Sequence, residues 1–439
     1  MSVDLLLKYG KVIVEGKEYQ RGVGIKTGKI AGIYRLGDEP EATTTINCKG
    51  KYVLPGAIDV HVHLRDLKQA NKEDFITGTR AAASGGVTTV VDMPNSDPPV
   101  LDWESLVSKI QAARSGRYVN VGFYSGIPKK ISDFDVDIAR DILGLKVYPY
   151  SPLVEGTLYD KKRIQDCMEL AYDLGLPLMM HPDNSEPGKK VDSIEDFFNI
   201  HSCQSEVDSV AKFIEVFQRL EKEVHLHICH VSCAASARII TKNRAEERLT
   251  AEVTPHHLLL TGANFCNDDG TAKMLPPLRS PYDNEALRTL LSKVGVDIVA
   301  SDHAPHTSDE KLAPFLEASS GIPGLETLVP LMLTEVFEDR LSWVEYLRVC
   351  SSGPARILGL NGKGVLSEGY DADITVVAKE EWTIKGSEFH SKAKITPFEG
   401  RKVLARPVST IVGGELVYED GKFVVGAGNV GIVPVRSLT

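Results

Sequence analysis

Apolar and polar positions follow two styles along this chain. At the start, LLLKYGKVIVEG, RGVGIKTGKIAGI and TTTINCKG alternate with period two, and DADITVVAKEEW and PVSTIVGGELVYEDGKFV do so near the end. Gly-Lys and Asp-Gly turns break them, a pattern that predicts antiparallel β-structure. The two ends are alike and the middle differs, so they predict one small β-domain, a β-sandwich, built from both termini. The middle holds eight near-continuous apolar runs: AIDVHVH (57–63), VTTVVDM (87–93), VNVGFY (119–124), LGLKVY (143–148), LPLMMH (176–181), VHLHICH (224–230), LTAEVTP (249–255) and VDIVASD (296–302). Helix-period segments such as EDFITGTRAAASGG, DWESLVSKIQAARSG, KRIQDCMELAYDLG and EVDSVAKFIEVFQRLEK separate them. Apolar strands alternating with amphipathic helices predict a parallel sheet with helices outside. Eight such units in about 250 residues predict an α/β fold of the (β/α)8 TIM-barrel type. The expected divisions are 1–53 and 369–439 for the β-domain and 54–368 for the barrel. The alternative, a doubly wound open sheet, predicts a Gly-rich phosphate loop after its first strand, and no GxGxxG or GxxxxGK[ST] occurs.

In such barrels chemistry sits at the C-terminal ends of the strands. Here those ends carry His61 and His63, Lys146, His181, His230, Glu252, and Asp302 with His303 and His306. His61 and His63 are two apart, so on a strand they face one side. Neutral imidazoles and carboxylates make a hydrolytic metal site. Four histidines and one aspartate exceed what one tetrahedral zinc needs and fit two metals sharing a bridging group. Taken singly, each residue also reads as an ordinary hydrogen-bonded side chain, and Asp302 as a helix cap. Their joint placement at the ends of strands one, five, six and eight is what points to metal. Register leaves the sixth ligand strand open, because His225 and His227 precede His230. Lys146 reads either as a side chain reaching to the barrel mouth or as an amine that has added CO2 to give a bridging carbamate.

Charge narrows the classes. Fifty Lys and Arg against sixty Asp and Glu give −10, which argues against binding nucleic acid or an anionic membrane. A small anionic substrate stays compatible, since one local Arg outweighs a diffuse charge. No apolar run reaches the roughly 18 residues of a membrane helix, and charges interrupt MSVDLLLKYGKVIVEGKEY, unlike a signal peptide. The seven cysteines are dispersed without a CxxC pair. Reduced thiols and a cytoplasmic location are expected.

Several stretches together resemble the amidohydrolase superfamily and, within it, the dihydroorotases: VLPGAIDVHVHLRD, GGVTTVVDMPNSDPPV, GLKVY, HICHVS, EVTPHHLLL, PPLRS, SDHAPHTSDEK, GIPGLET and FHSKAKITPFEG. The resemblance covers essentially the whole chain. It implies a binuclear zinc centre, two Zn2+ per subunit, held by His61, His63, His181, His230 and Asp302 and bridged by an N6-carboxylated Lys146. It thereby selects His230 and the carbamate reading. It implies Asp302 as the catalytic acid–base, and Arg65, Asn95 and His306 as contacts to a substrate carboxylate. An anion calls for a fork donor such as Arg. Where many members have Asn before PPLR, this chain has Leu275, which leaves a backbone group there to meet the substrate. The loop after Arg65 reads DLKQANKEDF in place of the usual Glu-Pro-Gly opening. Some members bind a third zinc, for which Cys229, Glu252 and His306 are the candidates.

The activity implied is the interconversion of N-carbamoyl-L-aspartate and L-dihydroorotate in pyrimidine synthesis. The resemblance also implies a homo-oligomer and an association with aspartate carbamoyltransferase, as some members have. A dihydropyrimidinase, hydantoinase or allantoinase is the nearest alternative, disfavoured by Arg65 and SDHAPH. A non-catalytic scaffold of the same fold is the alternative of another class, disfavoured because every ligand is present.

Overall fold

The computed structural model describes residues 2–185, 188–244, 248–264, 268–293 and 295–424. Eight parallel strands carry the middle of the chain: Ala57–Val62, Val87–Asp92, Asn120–Phe123, Leu145–Val147, Leu178–Met180, Leu226–Ile228, Leu249–Val253 and Ile298–Val299. One lies in each expected apolar run. The first three pair in sequence order, as do the last five. Parallel bridges from Ser125 to Leu145 and from Val62 to His303 join the two groups at both seams and close the ring. Every residue in these strands is buried, as a parallel sheet covered on both faces requires.

Helices surround the ring, and the four quoted helical segments form Phe75–Ser84, Trp103–Ser115, Lys161–Asp173 and Cys203–Arg219. Polar caps start them: the Asp102 side chain accepts from Ser105 N, and Ser202 from Ser205 N, each removing an orphan donor. Cys203–Arg219 buries Val210, Phe213, Ile214 and Phe217, the one-face spacing of a helix on a barrel.

Both ends of the chain enter a single nine-stranded sheet. Its central strand Val3–Val14 pairs antiparallel with Lys17–Lys26, as the turns predict, but parallel with Ala42–Asn47 and Tyr52–Pro55. Parallel neighbours need a crossover, and the Lys17–Lys26 and Lys29–Arg35 hairpin with residues 36–41 supplies it. Tyr52–Pro55 pairs with Ile374–Thr383 and so joins the two termini. The expected boundary at 53/54 falls inside that strand. Leu5, Leu7, Val23, Ile25, Val376 and Ile411 form this sheet's own apolar core. Among the described residues no helix is long and apolar enough to cross a membrane. The described cysteines are free thiols, and Cys266 lies outside the described residues.

Candidate active site

The strand ends place the expected ligands around one point. The Nε2 atoms of His63 and His61 lie 3.1 and 3.4 Å from one oxygen, Asp302 Oδ1. The His230 ring is 5.1 Å from that of His61 and 4.5 Å from that of His181. His230 and Asp302 both have positive φ, 29° and 49°. Such conformations are strained for residues with a Cβ and persist where the surroundings enforce them. His230, rather than His227, faces the cavity, because His227 is held by Thr250 and by Glu252.

Neighbouring groups fix the imidazole tautomers. His61 Nδ1 donates to the Glu252 carboxylate, which also accepts the His230 backbone N–H at 3.1 Å. His63 Nδ1 donates to Asn95 Oδ1 at 2.6 Å. Both Nε2 atoms are thereby turned toward Asp302, since a partner on one ring nitrogen fixes the orientation of a ligating histidine. Burial lowers the His63 pKa to about 4 and, with Lys146, that of His181 to about 3. Burial also lowers His230, reinforced by His181. These rings therefore keep free lone pairs at neutral pH. Burial opposes charge on His61 as well, but Glu252, Asp302 and Cys229 together outweigh it and raise the pKa to about 10, so the local field favours a cation at this ring. Asp302 shows the converse. Burial opposes its charge, but His61 and His63 overcome that and hold its carboxyl below the usual range.

The donor set fits a divalent cation. One donor atom from each of His61, His63 and Asp302 lies within 4.8 Å of the others. The buried His230 Nδ1 has no partner among the described residues. Lys146 sits behind this cluster, 1 % exposed. Its Nζ meets Cys229 Sγ at 2.9 Å and the Tyr148 ring face at 5.0 Å, and no carboxylate among the described residues pairs with it. Cys229, Glu252 and His61 form a second close donor group. His306 does not join it, contrary to the expectation for a third metal: it lies in the loop beyond strand eight with Arg65 and Lys72.

A cavity of about 460 Å³ opens over the cluster. His61, His63, His181, His230, Asp302, Arg65, Asn95, Leu275 and His306 all line it, whereas Lys146, Cys229 and Glu252 do not. Arg65, at φ 57°, is 8 % exposed. Its Nε has no partner, its Nη2 lies 3.4 Å from His306 Nε2, and no described carboxylate pairs with it. Gly321, at φ 135°, closes one wall, where a Cβ would sit 2.6 Å from Ala304 O. Gln69, Lys72 and Tyr148 also line the cavity and went unnoticed in the sequence. The atypical loop DLKQANKEDF and the stretch GLKVY were the available signals.

Two motifs without evident chemistry act as fasteners. Arg279 of PPLRS bonds Ser232 Oγ at 2.9 Å and His201 O at 2.7 Å, tying down the loop after His230. In FHSKAKITPFEG, the His390 N–H donates to Glu326 at 2.8 Å, and Ser391 Oγ donates to the buried Glu73 in the loop beyond Arg65.

The profile described as the amidohydrolase family matches residues 52–417. A dihydroorotase from Methanothermobacter thermautotrophicus is 36% identical over 92% of this chain and 93% of its own length. A dihydroorotase from Pyrococcus furiosus is 34% identical over 94% and 93%. Among solved structures, an L-hydantoinase (dihydropyrimidinase) from Arthrobacter aurescens superposes with a TM-score of 0.91 at 26% identity, covering 99% of this chain and 100% of its own.

Proposed function

From the premise that this chain belongs to the amidohydrolase family, we propose that it is a dihydroorotase: a hydrolase that interconverts L-dihydroorotate and N-carbamoyl-L-aspartate in pyrimidine synthesis. One observation carries the choice of substrate. Arg65, a buried guanidinium without a carboxylate partner among the described residues, faces the same cavity as the His63–Asp302 cluster. An unpaired buried cation beside a hydrolytic centre suits a ring that bears a carboxylate. Neutral hydantoins and dihydropyrimidines offer it nothing.

His61, His63, His181, His230 and Asp302 would hold two Zn2+ ions, with a carboxylated Lys146 as a further, anionic ligand. Lys146 Nζ is buried without a carboxylate partner among the described residues, and adding CO2 would turn it into an anionic ligand. Bound metal at such a site lowers the pKa of water and polarises a carbonyl. The chain's own groups do the rest. Asp302 Oδ1 faces the Nε2 atoms of His63 and His61, where a metal ion would be held. Oδ2 is then left to take a proton from the attacking water and to deliver it to the leaving ring nitrogen. Arg65 orients the carboxylate, Asn95 keeps its amide nitrogen for the substrate, and Leu275 offers backbone. The division into a barrel at 54–368 and a terminal β-domain belongs to the same reading. So do a cytoplasmic location, a homo-oligomer and an association with aspartate carbamoyltransferase.

The test is ring opening of dihydroorotate against dihydrouracil, hydantoin and allantoin, with zinc measured on the same sample. Preference for dihydroorotate at about two zinc ions per chain is the expected result. Preference for a neutral ring would assign the chain to the hydantoinase class.

A further inference from the structure

Tyr148 follows the fourth barrel strand, Leu145–Val147, and lines the cavity. It is 8 % exposed, yet its hydroxyl has no hydrogen-bond partner among the described residues. Buried polar groups are normally paired, so an unpaired one facing a cavity marks a place that a ligand completes.

The surroundings define that ligand. One side of the Tyr148 ring meets the ligand cluster, with Lys146 Nζ 5.0 Å from its centroid and the His181 ring at 6.2 Å. Arg65 lines the same cavity. Its Nε is a second buried donor without a partner among the described residues. Two further expected contacts flank this site. Asn95 has its oxygen held by His63 and keeps its amide N–H for the same carboxylate. His306 is shared among its neighbours: Nδ1 lies 3.3 Å from Lys72 Nζ and 3.4 Å from Glu310 Oε2, and Nε2 lies 3.4 Å from Arg65 Nη2. The same Nε2 lies 3.0 Å from Ser320 O, so both ring nitrogens are already engaged within the fold.

We infer that the Tyr148 hydroxyl, together with the Arg65 guanidinium, binds the substrate carboxylate and is a specificity-determining residue for anionic over neutral rings. This rests on the dihydroorotase reading. At neutral pH a phenol keeps its proton and is a directional donor to an anion, and Arg65 supplies the charge. Removing the hydroxyl weakens the hold on a carboxylate and leaves a neutral ring almost untouched.

The experiment compares the zinc-loaded wild-type protein with Tyr148→Phe, which deletes one oxygen without a partner among the described residues. Calorimetry measures binding of orotate, a carboxylated ring that is not opened, and of uracil, its carboxylate-free parent. Turnover of dihydroorotate is measured in parallel. The expected result is a loss of about ten- to a hundredfold in orotate affinity, uracil binding and zinc content unchanged, and a higher KM for dihydroorotate. Equal orotate affinity in the two proteins, or equal losses for orotate and uracil, overturns the inference. A wild type that binds orotate through Tyr148 but does not open dihydroorotate overturns the dihydroorotase reading alone. A wild type that does not bind orotate overturns both.

Discussion

Lys109 reaches inward from its helix and donates to the backbone carbonyl of Arg65 at 3.0 Å. Its Nζ also pairs with Asp92 Oδ2 at 2.5 Å, while Asp92 Oδ1 accepts from Leu64 N at 2.7 Å. Lys109 and Asp92 are both about fully buried. This pair clamps the chain on either side of the strained Arg65, so the proposed substrate anchor is held from behind by a residue 44 positions away.

Lys109→Met leaves Asp92 buried without its partner. Breaking a buried pair in this way costs about 3–5 kcal/mol. The expected outcome is a large drop in unfolding free energy in a denaturant titration, with a higher KM for dihydroorotate in the folded fraction. Unchanged stability would show that the clamp contributes nothing.

Arg65→Met removes the guanidinium and keeps much of the stem. A charge-assisted bond is worth about 1.5–3 kcal/mol, so kcat/KM for dihydroorotate is expected to fall about ten- to several-hundredfold. Zinc content stays constant, because Arg65 is not a ligand, and neutral rings lose much less. Equal impairment of charged and neutral rings would make Arg65 a structural residue.

Asp302→Asn keeps an oxygen for metal but cannot accept a proton. Turnover is expected to fall at least about a hundredfold, the scale of general acid–base catalysis, with metal retained. Near-wild-type turnover in a metal-replete sample would remove Asp302 from proton transfer.

Lys146→Ala deletes the proposed carbamate. Metal content and activity are both expected to fall, and short carboxylic acids supplied in solution are expected to restore part of each, since they offer the same two oxygens. An unmodified ammonium at Lys146 in the density of an active, metal-loaded crystal would refute carboxylation.

Lys311 gives the chain a pH dependence remote from the ligands. Burial, with the charge of Lys273, pushes its pKa down to about 7. Two carbonyls, Lys273 O at 3.0 Å and Ser319 O at 2.9 Å, match the two N–H bonds of a neutral amine. An unfolded lysine titrates near 10.4, so between about pH 7 and 10 the unfolded chain binds more protons than the folded one. Its contribution to stability therefore rises with pH across that window. The difference in unfolding free energy between wild type and Lys311→Met, followed by denaturant titration from pH 7 to 10, should grow in favour of the wild type. Parallel curves would mean that Lys311 titrates as an ordinary lysine.

The amino-acid sequence by itself determined the barrel, the terminal sheet and the strand-end residues, because those rest on local periods. Two-residue alternation, buried apolar runs and capped helices are readable within about ten neighbours. The same local reading placed His61 and His63 on one side of a strand and His181, His230 and Asp302 at strand ends. Tertiary structure alone decided who meets whom. Glu252 turns His61, Asn95 turns His63, Lys109 clamps Arg65, and His306 joins Lys72 and Ser320 rather than Cys229. Ser391 reaches Glu73 across 318 positions. Periodicity carries no information about such pairs. They arise only when the ring closes between Val62 and His303 and brings its first and last strands side by side.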